Sequence, residues 1–307
     1  MHIVSEHKEC SDSVGNVATP PRFAPWMALA FGVLAVSTAS TFIRLAQQEI
    51  ASLAVAAWRL TFATLMLLPF ATTPVRAAWS KLSHRDWRLL LVSGLVLAVH
   101  FHTWISSLAM TSVAASVVLV SISPLFVVLL SWAILKEPLR LGTFAGIVVA
   151  IAGSAIIGLE DLGQGAHQLR GDLLAIVGAL AVAIYLLIGR RLRPSLPLVA
   201  YVLPVYGSAA ALLMILALLS HTPLTGFSPR NWLWLVLVAL LPQVFGHTSF
   251  NWALRHVSPT LVSLATLAEP IGSTLLAWLI LGEPATLTTL AGGTLILTGV
   301  ALAVRTP

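Results

Sequence analysis

Ionisable and strongly polar side chains are scarce in the apolar part of this chain, so each one found there is a candidate for chemistry. Glu269 is the sharpest. It lies about eleven residues into an apolar segment, 258–281, and a rise of 1.5 Å per residue puts it near the middle of a membrane-spanning helix. A charge at that depth is unfavourable by roughly 2.5–3.5 kcal/mol, so the carboxylate must face the interior, be paired or carry a proton. It could bind a substrate amine or relay a proton. It could also cap backbone groups freed by the adjacent Pro270. Arg59, near the middle of segment 50–70, could pair with Glu269, bind a substrate carboxylate, or hold helices together.

Weaker polar groups recur at helical spacing. Gln243, His247 and Asn251 stand four residues apart, which places them on one helix face. Such a stripe avoids lipid and should line a cavity or a polar helix contact. His100 and Trp104 share a face in the same way, and the indole could wall an apolar or aromatic pocket. His102 points elsewhere, and a His-x-His spacing on a helix is poor for metal, so no metal site and no cofactor are expected. Tyr185 and the hydroxyls of Ser37, Thr38, Ser40 and Thr41 add further polar groups, for which backbone hydrogen bonding is an equal explanation. Pro124 and Pro270 each remove a backbone donor and free a carbonyl one turn earlier. Gly142, Gly146, Gly292 and Gly299 suggest close helix packing.

The elements that must position these residues follow from composition. Of 307 residues, 58% are hydrophobic and 9% charged, and the mean hydropathy is +0.94. That suits a surface facing lipid rather than water. A spanning helix needs roughly 17–25 apolar residues, and ten segments qualify: 26–45, 50–70, 87–107, 112–134, 139–158, 172–191, 196–219, 231–253, 258–281 and 285–304. Ser258-Pro259 reads as a helix start, Asp172 as a cap for the sixth segment, and Pro138 and Pro284 as openers of the fifth and tenth. Residues 1–25 carry five charges and no apolar core, which predicts a disordered tail and not a signal peptide. The only cysteine is Cys10, so an intrachain disulfide is excluded.

The net charge of +6 could suggest nucleic acid, but the basic residues are scattered over short connections. With the N-terminus cytoplasmic, 13 of the 17 Lys and Arg fall inside, 3 outside, and Arg59 within a helix. This asymmetry predicts a multi-pass protein of the inner (plasma) membrane with both termini cytoplasmic. It also accounts for the charge without a nucleic-acid partner.

The chain also repeats itself. At an offset of 146 residues, Arg44 meets Arg190, Pro124 meets Pro270, and Trp132 meets Trp278. At the same offset Glu137-Pro138 meets Glu283-Pro284, and Gly146 and Gly153 meet Gly292 and Gly299. Glu269 meets Ser123, so the carboxylate is not part of the shared pattern. An odd number of helices per unit forces the second copy to enter from the opposite face. The predicted fold is therefore all-α: ten transmembrane helices in two inverted five-helix units, 26–159 and 172–305, around a central cavity. Inverted repeats of this kind underlie alternating access in secondary transporters.

The run Pro124…Trp132…Lys136-Glu137-Pro138…Gly146…Gly153, its echo Glu269-Pro270…Trp278…Gly282-Glu283-Pro284…Gly292…Gly299, and Ala56-Ala57-Trp58-Arg59-Leu60 resemble the EamA-type branch of the drug/metabolite transporter superfamily. The resemblance covers nearly all of the chain after the tail. It implies a ten-helix carrier with a central cavity that exports small metabolites, amino acids or drug-like solutes, with lipid around it. Proton coupling would then fall to Glu269. A nucleotide-sugar or phosphate-ester carrier is the alternative within the superfamily, but it wants several deep Lys or Arg and only Arg59 qualifies. An intramembrane enzyme is disfavoured, since no Gly-x-Ser-x-Gly motif is present. The absence of Gly-x-x-x-x-Gly-Lys-[Ser/Thr] points to a gradient and not ATP as the energy source.

Overall fold

The computed structural model describes residues 24–135, 141–257, 262 and 265–305, and every regular element among them is helical. Seven helices are long and apolar enough to cross a membrane. They are α1 (Ala24–Ala46), α2 (Ser52–Phe70), α3 (His84–Leu108), α4 (Val113–Ala133), α6 (Ala166–Leu192), α7 (Leu198–Leu219) and α8 (Pro229–Ala253). Between and after them lie α5 (Leu141–Gln164), α9 (Glu269–Leu281) and α10 (Leu287–Arg305), whose apolar stretches are shorter. A short helix, Thr73–Ser80, lies in the connection before α3.

Three helix starts differ from expectation. α3 begins at His84 because Ser83 and Asp86 form a reciprocal capping box, the Ser83 hydroxyl accepting from the Asp86 amide and the Asp86 carboxylate from the Ser83 amide. α6 begins at Ala166, so Asp172 is no cap; it lies buried inside the helix, beyond the first turn. Pro284 precedes α10 by three positions rather than opening it. The expected features at Lys136-Glu137-Pro138, Ser258-Pro259 and most of the N-terminal tail lie outside the described residues.

Leu91, Leu95 and Val99 along α3, and Phe144, Val148 and Ile151 along α5, point outward. These stripes recur at three- and four-residue spacing, as on helices with one face in hydrocarbon. Inside, α5 and α10 come close enough to need glycine. A Cβ on Gly153 would stand 2.5 Å from the Gly292 carbonyl oxygen, and one on Gly299 would stand 2.5 Å from that of Gly146. No side chain fits such an approach.

One face is tied together by charge. Arg44, near the end of α1, pairs with Glu283 through Nη2 at 2.5 Å and donates from Nη1 to the Leu108 carbonyl at 2.6 Å. Glu49, in the link after α1, accepts from the Ser228 amide and hydroxyl, both at 2.8 Å, and from Asn231 Nδ2. The Ser228 hydroxyl foremost, then its amide, holds the Glu49 carboxyl below its ordinary 4.5.

Two helix breaks matter for the site. In α4 the ladder is interrupted at Ser121 and Ile122, where bonds of the i−3 type replace part of it, Leu125 donating to the Ile122 carbonyl at 2.9 Å. Pro124 cannot donate, so the bond to Val120 is missing. The second break is at Leu267 and Ala268, just before Glu269 and Pro270 open α9.

Candidate functional site

A small cavity of about 70 Å³ lies where these two breaks meet. Its walls come from Val36 and Ala39 of α1, His100 and Trp104 of α3, and Val120, Ser121 and Ser123 of α4. The other walls are Val182, Tyr185 and Leu186 of α6, His247, Phe250 and Asn251 of α8, and Val262, Thr266 and Glu269 around the second break. Six of the candidate residues are thus brought together: Glu269, His100, Trp104, His247, Asn251 and Tyr185.

Hydrogen bonds to their neighbours hold His100, Tyr185 and Asn251. His100 donates from Nδ1 to the Gly178 carbonyl at 2.9 Å, since a carbonyl can only accept, and its ring stacks on Trp104 at 6.0 Å. Gly178 permits this contact, because a Cβ there would lie 3.2 Å from the Thr103 hydroxyl. Tyr185 donates to Asn251 Oδ1 at 2.9 Å, and Asn251 Nδ2 donates to the Tyr206 hydroxyl at 3.3 Å and the His247 carbonyl at 2.9 Å. The amide is thereby oriented, with its oxygen toward α6 and its nitrogen toward α7. Trp104 is buried, yet its indole Nε1 has no hydrogen-bond partner. A buried donor left unmade costs about 1–3 kcal/mol.

Arg59 and Gln243 belong to a second layer behind the cavity wall. Arg59 is fully buried. Its Nε donates to Gln243 Oε1 at 2.8 Å, and Cζ lies 4.0 Å from the Phe101 ring centre and 5.8 Å from that of Trp104. Its Nη1 and Nη2 have no hydrogen-bond partner, and neither does Gln243 Nε2. Arg59 makes no ion pair with Glu269; the only ion pair among the described residues is Arg44–Glu283.

The Gln243–His247–Asn251 stripe is therefore split. His247 and Asn251 reach the cavity, while Gln243 turns to Arg59. Gln243 is drawn aside by Arg59, whose Nε it accepts from at 2.8 Å, on the stretch of α8 where Ala239–His247 winds in wide π-type turns around Pro242. Gly246 allows α8 to lie against α1 there, since a Cβ would come 2.6 Å from Val36 Cγ1.

Pro124 and Pro270 mark both breaks, but the residues at the cavity are their neighbours, Ser121, Ser123 and Glu269. Phe250, Thr266 and Tyr206 are parts of the site or its support that the sequence reading passed over. One signal pointed to Tyr206: the chain has 3 tyrosines, and all of them are buried inside spanning segments.

The profile of the EamA-like transporter family matches residues 24–159 and again 169–305. The chain belongs to this family. An "uncharacterized transporter" of Archaeoglobus fulgidus is 25% identical over 292 residues, covering 91% of this chain and 98% of that protein. One of Clostridium kluyveri is 27% identical over 243 residues, covering 76% of this chain and 78% of that protein. A solved crystal structure superposes with a TM-score of 0.66 at 20% identity, covering 94% of this chain and 100% of its own. EamA-like membership and the apolar helices together make this a multi-pass membrane protein and a membrane transporter.

Proposed function

We propose that this EamA-like transporter is a gradient-driven carrier that exports a small solute by alternating access, with Glu269 as the group that couples proton and solute. The fold behind this reading is ten spanning helices in two inverted units, 26–159 and 172–305, with both termini on the cytoplasmic side of the inner membrane.

The observation that carries it is the pairing of the cavity walls. Val36 and Val182, Ala39 and Tyr185, Trp104 and Phe250, Val120 and Thr266, and Ser123 and Glu269 all line the cavity. Each pair is separated by the repeat offset of 146. A pseudo-twofold axis through the cavity would produce such pairs. The reciprocal contacts Gly153 to Gly292 and Gly146 to Gly299 also suit an axis of this kind, since a twofold contact is self-complementary. A binding site on the axis is equally reachable from either membrane face as the units rock.

The lining also bears on the solute. Trp104, Phe250 and Tyr185 supply an aromatic wall, and Glu269 is the one carboxylate among the described lining residues. Among the described residues no Lys or Arg lines the cavity, which argues against a phosphate-ester carrier, because that chemistry needs converging cations. A solute with an apolar or aromatic body and a basic or hydrogen-bonding group fits best.

The test is flux of candidate solutes through the purified protein in sealed vesicles, with and without an imposed pH gradient. Wild type should transport, and the gradient should drive it. Glu269→Gln should lose the gradient response. Transport by this variant with unchanged pH dependence would remove Glu269 from the mechanism.

A further inference from the structure

An apolar groove of about 600 Å³ opens between α9 and α10, with Ala114 and Val118 of α4 as its floor. Gly293 widens it: a Cβ there would stand 3.2 Å from Val118 Cγ2. The groove's sides include Ile271, Trp278 and Leu290, all largely exposed. It runs from Pro284, beyond the end of α9, to Pro270 at the helix break. From Pro270 to Leu281 is about 16 Å at 1.5 Å per residue, close to half of a hydrocarbon core of about 30 Å. The groove is therefore one leaflet deep.

Its outer end is polar. A second pocket of about 560 Å³ shares Pro284 and Thr289 with the groove, and Arg44, Glu160, His167, Gln168 and Glu283 line it. Gly282, with φ of 69°, ends α9, and Glu283 after it lines the second pocket. Arg44 and Glu283 neutralise each other. Glu160 accepts from the Thr286 hydroxyl at 2.9 Å and has no ion-pair partner among the described residues.

We infer that groove and pocket together form a binding site for a phospholipid with a phosphoethanolamine headgroup. One acyl chain lies in the groove. The ammonium meets Glu160, and the phosphate meets His167, Gln168 and the outer edge of Arg44. The Glu160 carboxylate, with no ion-pair partner among the described residues, opposes an anionic headgroup. A choline headgroup has no N–H to donate and would need an aromatic cage, which the described residues of the pocket do not form. The chain end abuts Pro270, the residue after Glu269, so occupancy supports the break that forms the cavity wall. The inference rests on the membrane reading of the chain and not on which solute the cavity takes.

The experiment uses the full chain in bilayers containing either phosphatidylethanolamine or phosphatidylglycerol that carries a photoactivatable acyl chain, followed by peptide mapping. Labelling should concentrate on α9, α10 and Ala114–Val118, with phosphatidylethanolamine favoured about tenfold. Gly293→Leu should lower that labelling about tenfold by filling the floor. If it fails to fold, Glu160→Gln on the rim carries the test: it should abolish the preference between the two lipids and leave the melting temperature unchanged. Equal labelling by both lipids in wild type, label spread evenly onto Leu91, Leu95 and Val99 of α3, a second copy of the chain cross-linked across the groove, or a preference that survives Glu160→Gln would each overturn it. Loss of solute transport alone would not bear on it, because the readout is the bound lipid.

Discussion

Two helix breaks border the cavity, and they differ by one residue. In α4 the turn at Ser121 and Ile122 is followed by Ser123-Pro124, and in α9 the turn at Leu267 and Ala268 is followed by Glu269-Pro270. The shape is common to both because proline lacks the donor that would close the ladder. The chemistry is not common, since one break carries a hydroxyl and the other a carboxylate. A hydroxyl can satisfy itself on nearby backbone, whereas a carboxylate at that depth is unfavourable by roughly 2.5–3.5 kcal/mol. Shape and chemistry are thus separable, and substitutions can address them one at a time.

The largest effect is expected from the chemistry. Glu269→Gln should lower gradient-driven flux about 100-fold, near 2.7 kcal/mol, while Ser123→Ala stays within about twofold. Equal losses in the two variants would mean that the carboxylate has no special part. Arg59, the other ionic group at membrane depth, offers a control on stability. Gln243→Leu removes its hydrogen-bond partner, which should cost about 1.5–3 kcal/mol of unfolding free energy without abolishing the pH response of transport. A flat pH profile in this variant would bring Arg59 into the coupling.

The shared shape is tested by Pro124→Ala and Pro270→Ala. Each restores a donor able to close the missing bond, worth about 0.5–1.5 kcal/mol. The new amide should be protected from hydrogen exchange to a similar degree in both variants. Protection in one alone would show that the breaks are not equivalent. The smallest effect lies at the charged face. Glu49 is held below its ordinary 4.5 by Ser228. Its contribution is therefore present above that pH and lost as the pH falls through the lower folded-state value. Thermal melts from neutral to acid pH should show Glu49→Gln less acid-sensitive than wild type, with the two curves converging at low pH.

The comparison also separates what could be read early from what could not. Glu269, His100, Trp104, His247, Asn251 and Tyr185 were legible as candidates because a polar side chain in a long apolar segment must find a protected place, whatever the fold. The breaks were legible from proline. The split between His247 and Gln243 was not, because helical spacing cannot show that Arg59, on another helix, holds the Gln243 side chain. Asp172 was misread as a cap because hydropathy falls before the helix does, and α6 extends through His167 and Arg170 to Ala166. Phe250 and Thr266 passed unnoticed because nothing in their residue type distinguishes a cavity wall from ordinary packing.

The sequence by itself determined that the chain is helical and apolar outside, that it repeats at one offset, and that a lone carboxylate interrupts the repeat. These are properties of residue type and spacing, and they hold before any contact is made. Only the tertiary structure decided that Arg59 stands behind Phe101 and outside the cavity, that Arg44 finds Glu283, and that an apolar groove joins a polar pocket at Pro284. Each of these depends on how far helices approach and how they turn against one another. That is set by side chains from distant segments, Gly153 against Gly292 among them, and not by any local pattern.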